Sequence, residues 1–240
     1  MTEGQVVSKY LSFNESIEPN LVLPRACNNV EIPPEMMTKP LPLSHEWVVW
    51  EQLNQETRKD ADYSNATKPV ARFSSVQQFW WLWHHIPQPS ELLKGKRMIR
   101  ESADGTRSVV DAVILFKDGI QPMWEDPMNA NGGHMFFRAW QTSVNPGELD
   151  TMWNNLVLAL IGGSLVHGSI VNGIRLVDKL GGTKGNIRIE IWFNDFSNQS
   201  ARQGLIQEVE TLMSSLLDGS SCISPHFDVK SHSKVKIEAN

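Results

Sequence analysis

Trp124 and Glu125 set a large aromatic ring beside a carboxylate, at the end of the stretch Phe116-Lys-Asp-Gly-Ile-Gln-Pro-Met-Trp-Glu-Asp126. The Asp-Gly, Gln-Pro and Asp-Pro pairs are turn chemistry, so the segment reads as a loop and not as a helix interior. A Trp on a loop beside an acid can stack on a flat, positively charged base and accept hydrogen bonds from its edge. Taken alone, the dipeptide is more readily explained as a core Trp next to a surface acid, because most Trp residues are largely buried. A second constellation lies on Asn186-Ile-Arg-Ile-Glu-Ile-Trp-Phe193, where Ile187, Ile189, Ile191 and Phe193 alternate with Arg188, Glu190 and Trp192. Strand alternation puts Arg188 and Trp192 on the face opposite the isoleucines, about 13 Å apart. Arg175, Lys179 and Lys184 add positive charge suited to a short polyphosphate, although Gly-Gly-Thr-Lys followed by Gly-Asn also reads as a basic hairpin turn.

Hydrolytic chemistry finds little support. Glu125, Asp126, Asp118 and Asp111 are the carboxylates nearest the loop, and no Glu-rich helix completes a metal set. No Gly-rich phosphate loop, nucleophile elbow or His metal pair appears. His84 and His85 are adjacent on a predicted helix and cannot share one metal face. No cofactor is expected.

The elements that must hold these residues alternate unevenly. Strand candidates are 46–53, 69–73, 96–102, 108–116, 133–141, 169–178 and 186–194, rich in Val, Ile, Phe and Trp. Ser75-Val-Gln-Gln78 is a capping box opening a helix to Ile86, stopped by Pro87. Asn145-Pro-Gly-Glu148 opens a second helix, ended by Gly162-Gly163, and a third spans about 198–217. Strands mostly follow one another directly, which predicts an α+β architecture: a mainly antiparallel sheet, three helices on one face, the other face free.

Some apolar residues miss the core stripes. In the first helix Val76, Phe79, Leu82, Trp83 and Ile86 form the buried stripe, Trp80 falls at its edge and Trp81 points nearly opposite. Leu158 lies opposite the stripe of the second helix. Such residues suit docking of an amphipathic partner helix, or a cover formed by Pro40-Leu-Pro-Leu43 folding back.

Residues 1–38 carry Pro19, Pro24, Pro33 and Pro34 without periodicity and read as a flexible arm, residues 39–224 as the folded domain, and residues 225–240 as a mobile tail. Net charge is −5, poor for gripping long nucleic acid along a groove but compatible with a local basic patch. Nine Trp stand against two Tyr, a usage that favours surfaces for flat ligands. Cys27 and Cys222 show no metal spacing, and the start Met1-Thr-Glu-Gly-Gln lacks a signal-peptide pattern, so a cytoplasmic protein, with the nucleus also open, is expected.

From about Pro40 to Leu217 the sequence resembles the eukaryotic translation initiation factor 4E family, which binds the 7-methylguanosine cap of messenger RNA. The resemblance is carried by Lys117 to Asp126 followed by Gly132-Gly133, by Trp47-Val-Val-Trp50, Val76-Gln-Gln-Phe-Trp80 with His85-Ile86, Trp153 with Leu158 to Gly162, and Ile189-Glu-Ile-Trp192. It implies a curved sheet with helices on the convex back and the cap in the concave front. It further implies that Trp124 and Tyr63 sandwich the base, Glu125 reads its edge, and Trp192 meets the N7-methyl group. Arg188, Lys179 and Lys184 would then meet the phosphates. On the back it implies that Pro42, Leu43, Val76, Trp80, Asn154 and Leu158 dock a helix of a scaffold factor 4G-like protein or a repressor, with no other oligomerisation. Tyr63 stands where the family usually has Trp, His134 where it often has Arg or Lys, and Asn154 where it has an apolar residue. A cap-binding paralogue that represses or stores messages without recruiting the scaffold factor is the alternative.

Overall fold

A computed structural model of the chain describes residues 11–12, 39–54, 66–102, 105–140, 143–181, 185–215 and 225–233. Among the described residues, nine strands form one sheet: β1 (Leu11–Ser12), β2 (Pro42–Leu53), β3 (Thr67–Ser75), β4 (Met98–Glu101), β5 (Arg107–Lys117), β6 (Gly133–Trp140), β7 (Val171–Lys179), β8 (Asn186–Phe193) and β9 (Asp228–Ser231). The helices are α1 (Val76–Trp83), α2 (Ser90–Leu93), α3 (Pro127–Ala130), α4 (Pro146–Gly162) and α5 (Gln199–Ser214). Every pairing is antiparallel, in the order β4-β5-β7-β8-β6-β9, with β2 on the same edge of β5 as β4 and carrying β3 outside it.

The cross-strand register sorts side chains into two layers. Ile187, Ile189, Ile191 and Phe193 are fully buried against Met135, Phe137 and the stripes of α1, α4 and α5, which form the main core. The sheet is curved, with this helix-covered layer on the convex side. The expected fold class therefore holds.

Local chemistry starts and stops the helices. Ser75 Oγ accepts the Gln78 backbone N–H at 3.3 Å, while Gln78 reaches back to the Ser74 N–H at 2.9 Å, one residue earlier than a standard capping box. Asn145 caps α4 by accepting from Gly147 N, and Gly163 ends it at φ 68°, a left-handed geometry that glycine adopts freely.

Both chain ends depart from expectation. Residues 225–240 were expected to form a mobile tail, yet Asp228–Ser231 pairs along β6 and His232 is fully buried. Edge pairing supplies the order that the polar sequence conceals. In the N-terminal arm, the backbone of Leu11–Ser12 pairs with Ile99 and Arg100 of β4.

Candidate functional site

The second layer of the sheet lines a concave front. Here Val48, Trp50 and Gln52 of β2 stand beside Ala112, Ile114 and Phe116 of β5; next come Gly173, Arg175 and Val177 of β7, then Arg188, Glu190 and Trp192 of β8. β6 adds His134, Phe136 and Arg138, and β9 adds Lys230. Ala112, Ile114, Phe116, Ile120, Val177 and Trp192 form a small second core on this side, with Trp50 and Trp124 resting against it.

Trp124 sits in a turn, as the Asp-Gly and Pro pairs predict, and is half-buried, while Glu125 beside it is exposed. Asp126 closes the turn: its carboxylate accepts from the backbone N–H groups of Gln121 and Met128, both at 2.8 Å, and caps α3 ahead of Pro127. Beneath it Asn129, fully buried, donates through Nδ2 to the carbonyls of Gln121 (2.8 Å) and Met123 (2.9 Å). Its Oδ1 accepts from Asn172 Nδ2 at 2.8 Å, and its own carbonyl lies 2.8 Å from His232 Nδ1. These bonds leave the loop few ways to move, because each buried polar group would go unpaired. Sequence reasoning missed Asn129, Asn172 and His232, which carry no spacing signal.

Trp192 lies on the expected face but is not open to solvent there; it is 1% exposed. His134 stacks on it at 5.6 Å, His232 lies 4.4 Å away, and Phe116 meets it edge-on at 5.6 Å. Its Nε1 donates to Glu190 Oε2 at 3.1 Å, and the Arg175 guanidinium stands 5.4 Å above the ring. Alternation fixes the side of Trp192, but rings from β5, β6 and the tail roof this one residue.

Charge on this face is organised around Glu190. Arg175 Nη1 lies 3.3 Å from one carboxylate oxygen and Arg188 Nη1 3.4 Å from the other. Burial pushes this carboxyl up, but the Arg175 guanidinium and the bond from Trp192 outweigh it and hold the pKa below the ordinary range. Burial drives His134 to a pKa of about 4, Glu190 offsetting only part of that cost. His134 is therefore neutral near pH 7 and supplies no charge for a phosphate. Arg188 is half-exposed, and Lys179 is exposed at the end of β7 opposite Asn186. Tyr63 and Lys184 lie outside the described residues.

The back carries the second constellation. Trp80 is 42% exposed and Leu158 36%, both beside a groove of about 700 Å³ between the end of α1, α2 and α4. Val76 and Leu43 are half-buried and Pro42 is exposed. The segment before β2 does fold back: Gln77 Nε2 donates to Lys39 O at 2.9 Å and Gln77 Oε1 accepts from Leu41 N at 3.0 Å. It flanks α1 and leaves Trp80 open. Trp81, expected opposite the stripe, instead packs half-buried against the core and His85. Asn154 makes the groove floor polar, accepting from Trp83 Nε1 and donating to Gln88 Oε1 and Asp150 O, all at 2.8 Å.

The chain thus combines a curved antiparallel sheet, helices on its back and a Trp-Glu loop clamped on its front. Residues 42–238 match the family description "Eukaryotic initiation factor 4E". The chain belongs to this family. It is 32% identical over 172 residues to eukaryotic translation initiation factor 4E-1 of Zea mays, covering 72% of this chain and 68% of the relative. With the Oryza sativa protein of the same name it shares 34% over 163 residues, 68% of this chain and 61% of that one. Among solved structures it resembles Caenorhabditis elegans eIF4E-3 bound to the 4E-binding protein Mextli and a cap analog, at TM-score 0.60 and 20% identity over 83% of this chain and 96% of that one. Ascaris suum eIF4E-3 with an m2,2,7G cap superposes at TM-score 0.59 and 22% identity, over 80% of this chain and 98% of that one.

Proposed function

We propose that this chain binds the 7-methylguanosine cap of messenger RNA on its concave front and a helical partner on its back, in translation initiation. The carrying observation is the half-buried Trp124 on a hydrogen-bonded turn beside an exposed Glu125. N7-methylation makes guanine cationic, which draws it between electron-rich ring faces. Trp124 supplies one plate and Tyr63 the other. Glu125 accepts from the guanine edge, and Arg188, Lys179 and Lys184 meet the phosphates. Trp192 lies buried in the floor against which Trp124 rests, beneath the proposed base site.

Stacking contributes ~1–3 kcal/mol per contact. The charge-assisted bonds to Glu125 add ~1.5–3 kcal/mol. A net near ~8 kcal/mol corresponds to about micromolar affinity. Binding proceeds without turnover.

On the back, Trp80, Leu158, Val76, Leu43 and Pro42 form the docking strip for an amphipathic helix of a 4G-like scaffold or a 4E-binding repressor. Asn154 supports selectivity, because a partner residue that meets it must tolerate a polar floor. The two faces are separated by the sheet and act independently. Accordingly, Trp124→Ala is expected to lower affinity for 7-methyl-GTP at least tenfold in a fluorescence titration. Trp80→Ala should keep that affinity within about twofold and weaken capture of a partner helix. Loss of cap binding in Trp80→Ala would contradict this division of labour.

A further inference from the structure

We propose that the front face of β6, β8 and β9 is a second binding site, for the single-stranded RNA attached to the cap; this rests on the cap-binding reading. Three cations converge on one buried ring. The guanidinium of Arg138 lies 4.6 Å, that of Arg188 4.7 Å and the ammonium of Lys230 5.9 Å from the centroid of Phe136. Arg138 stands directly opposite Arg188 in the β6–β8 register. Like charges facing each other across strands repel, so the pair needs anions nearby. Those at hand fall short. Glu190 is divided among Arg175, Arg188 and the Trp192 Nε1, and Asp228 pairs with Arg138 alone. Lys230 is exposed and has no carboxylate partner among the described residues. Among the described residues, three guanidiniums thus share two carboxylates and Lys230 has none, on one face of a chain whose net charge is −5.

The cations also lead to an aromatic ring. Trp140, two residues beyond Arg138 on the same face of β6, is 38% exposed, opposite Asn186 where Lys179 completes the row. From His134 beside Trp192 to Trp140 the strand runs roughly 20 Å. That path starts under the base site, passes the phosphate-binding cations and ends on a ring open for stacking. A positive row ending in an exposed aromatic plate is how proteins hold single strands without reading sequence. It also fits the acidic chain as a whole: a short row takes a few phosphates without gripping long nucleic acid.

The test compares 7-methyl-GTP, a capped oligonucleotide of about ten nucleotides and the same oligonucleotide without a cap. Fluorescence anisotropy would be read at low and moderate salt, for the full chain and for Trp140→Ala and Arg138→Gln/Lys230→Gln variants. The capped oligonucleotide should bind the wild type about tenfold tighter than 7-methyl-GTP at low salt, with the gain shrinking as salt rises. Each variant should lose most of that gain while holding 7-methyl-GTP within about twofold, and Trp140→Ala touches no ion pair that folding needs. Equal affinity of wild type for the nucleotide and the capped oligonucleotide would overturn the proposal. So would a gain that survives in both variants, or equal competition by polyglutamate. If 7-methyl-GTP does not bind but the uncapped oligonucleotide does, and the variants abolish it, the RNA site stands and the cap reading falls.

Discussion

His134 is held as a neutral ring in a crowded place. It stacks on Trp192, touches His232 at 3.1 Å, and shares its surroundings with Glu190, Arg175 and Lys230. Its pKa falls from 6.5 to about 4, burial being the main cause. Between those values the unfolded chain takes up a proton that the folded chain refuses. Stability present above pH 6.5 is therefore lost progressively as pH falls toward 4. Glu190, whose carboxyl the Arg175 guanidinium helps hold below its ordinary value, shifts in the direction that keeps it charged to lower pH than a free glutamate. From pH 7 to pH 5 the loss should be on the order of 2 kcal/mol, visible in denaturant melts and largely absent in His134→Phe. An identical pH dependence in that variant would show that the imidazole is not the titrating group. At this scale the sequence was legible where chemistry is local. Asp-Gly and Pro pairs placed Trp124 on a turn, and alternation placed Arg188 and Trp192 on one side of β8. The enclosure of Trp192 was not legible, since its lids come from strands distant in sequence.

The strand β9 and the helix α3 are where elements bear on the site. Long periodic segments were readable: the Ile alternation of β8, the Ser75 and Asn145 caps, and the stripe of α4 all reflect burial of one face. Asp228-Val-Lys-Ser231 has no such pattern, because an edge strand of four residues is ordered by pairing with β6 and not by its own preferences. Through His232 this strand also reaches Asn129, whose side chain pins the turn that presents Trp124. Deleting residues 225–240 should lower the melting temperature by several degrees. It should also weaken 7-methyl-GTP binding several-fold, because the Asn129 carbonyl loses its partner and the turn loosens. Unchanged affinity in a variant that still folds would mean that the loop stands without the tail. On α4, Asn154 stands where the family usually has an apolar residue; its three hydrogen bonds explain how a half-buried amide is tolerated there.

The whole molecule divides its work between two sides of one sheet. The convex side gathers most of the apolar residues into a single core and leaves Trp80 and Leu158 at a groove. The concave side keeps a small aromatic core and, among the described residues, more cations than carboxylates to pair with them. On the proposed cap-binding reading, ligand selection there depends on positive charge in the base and negative charge in the phosphates attached to it. A methylated guanine satisfies the first condition and unmodified guanine does not, although both offer the same edge to Glu125. Quenching of intrinsic Trp fluorescence by 7-methyl-GTP and by GTP measures this difference in one titration. Cap recognition predicts saturable quenching near micromolar 7-methyl-GTP, with GTP weaker by at least tenfold and both nucleotides recovered unchanged. Equal affinity for the two, no binding of either, or turnover of the ligand would contradict it.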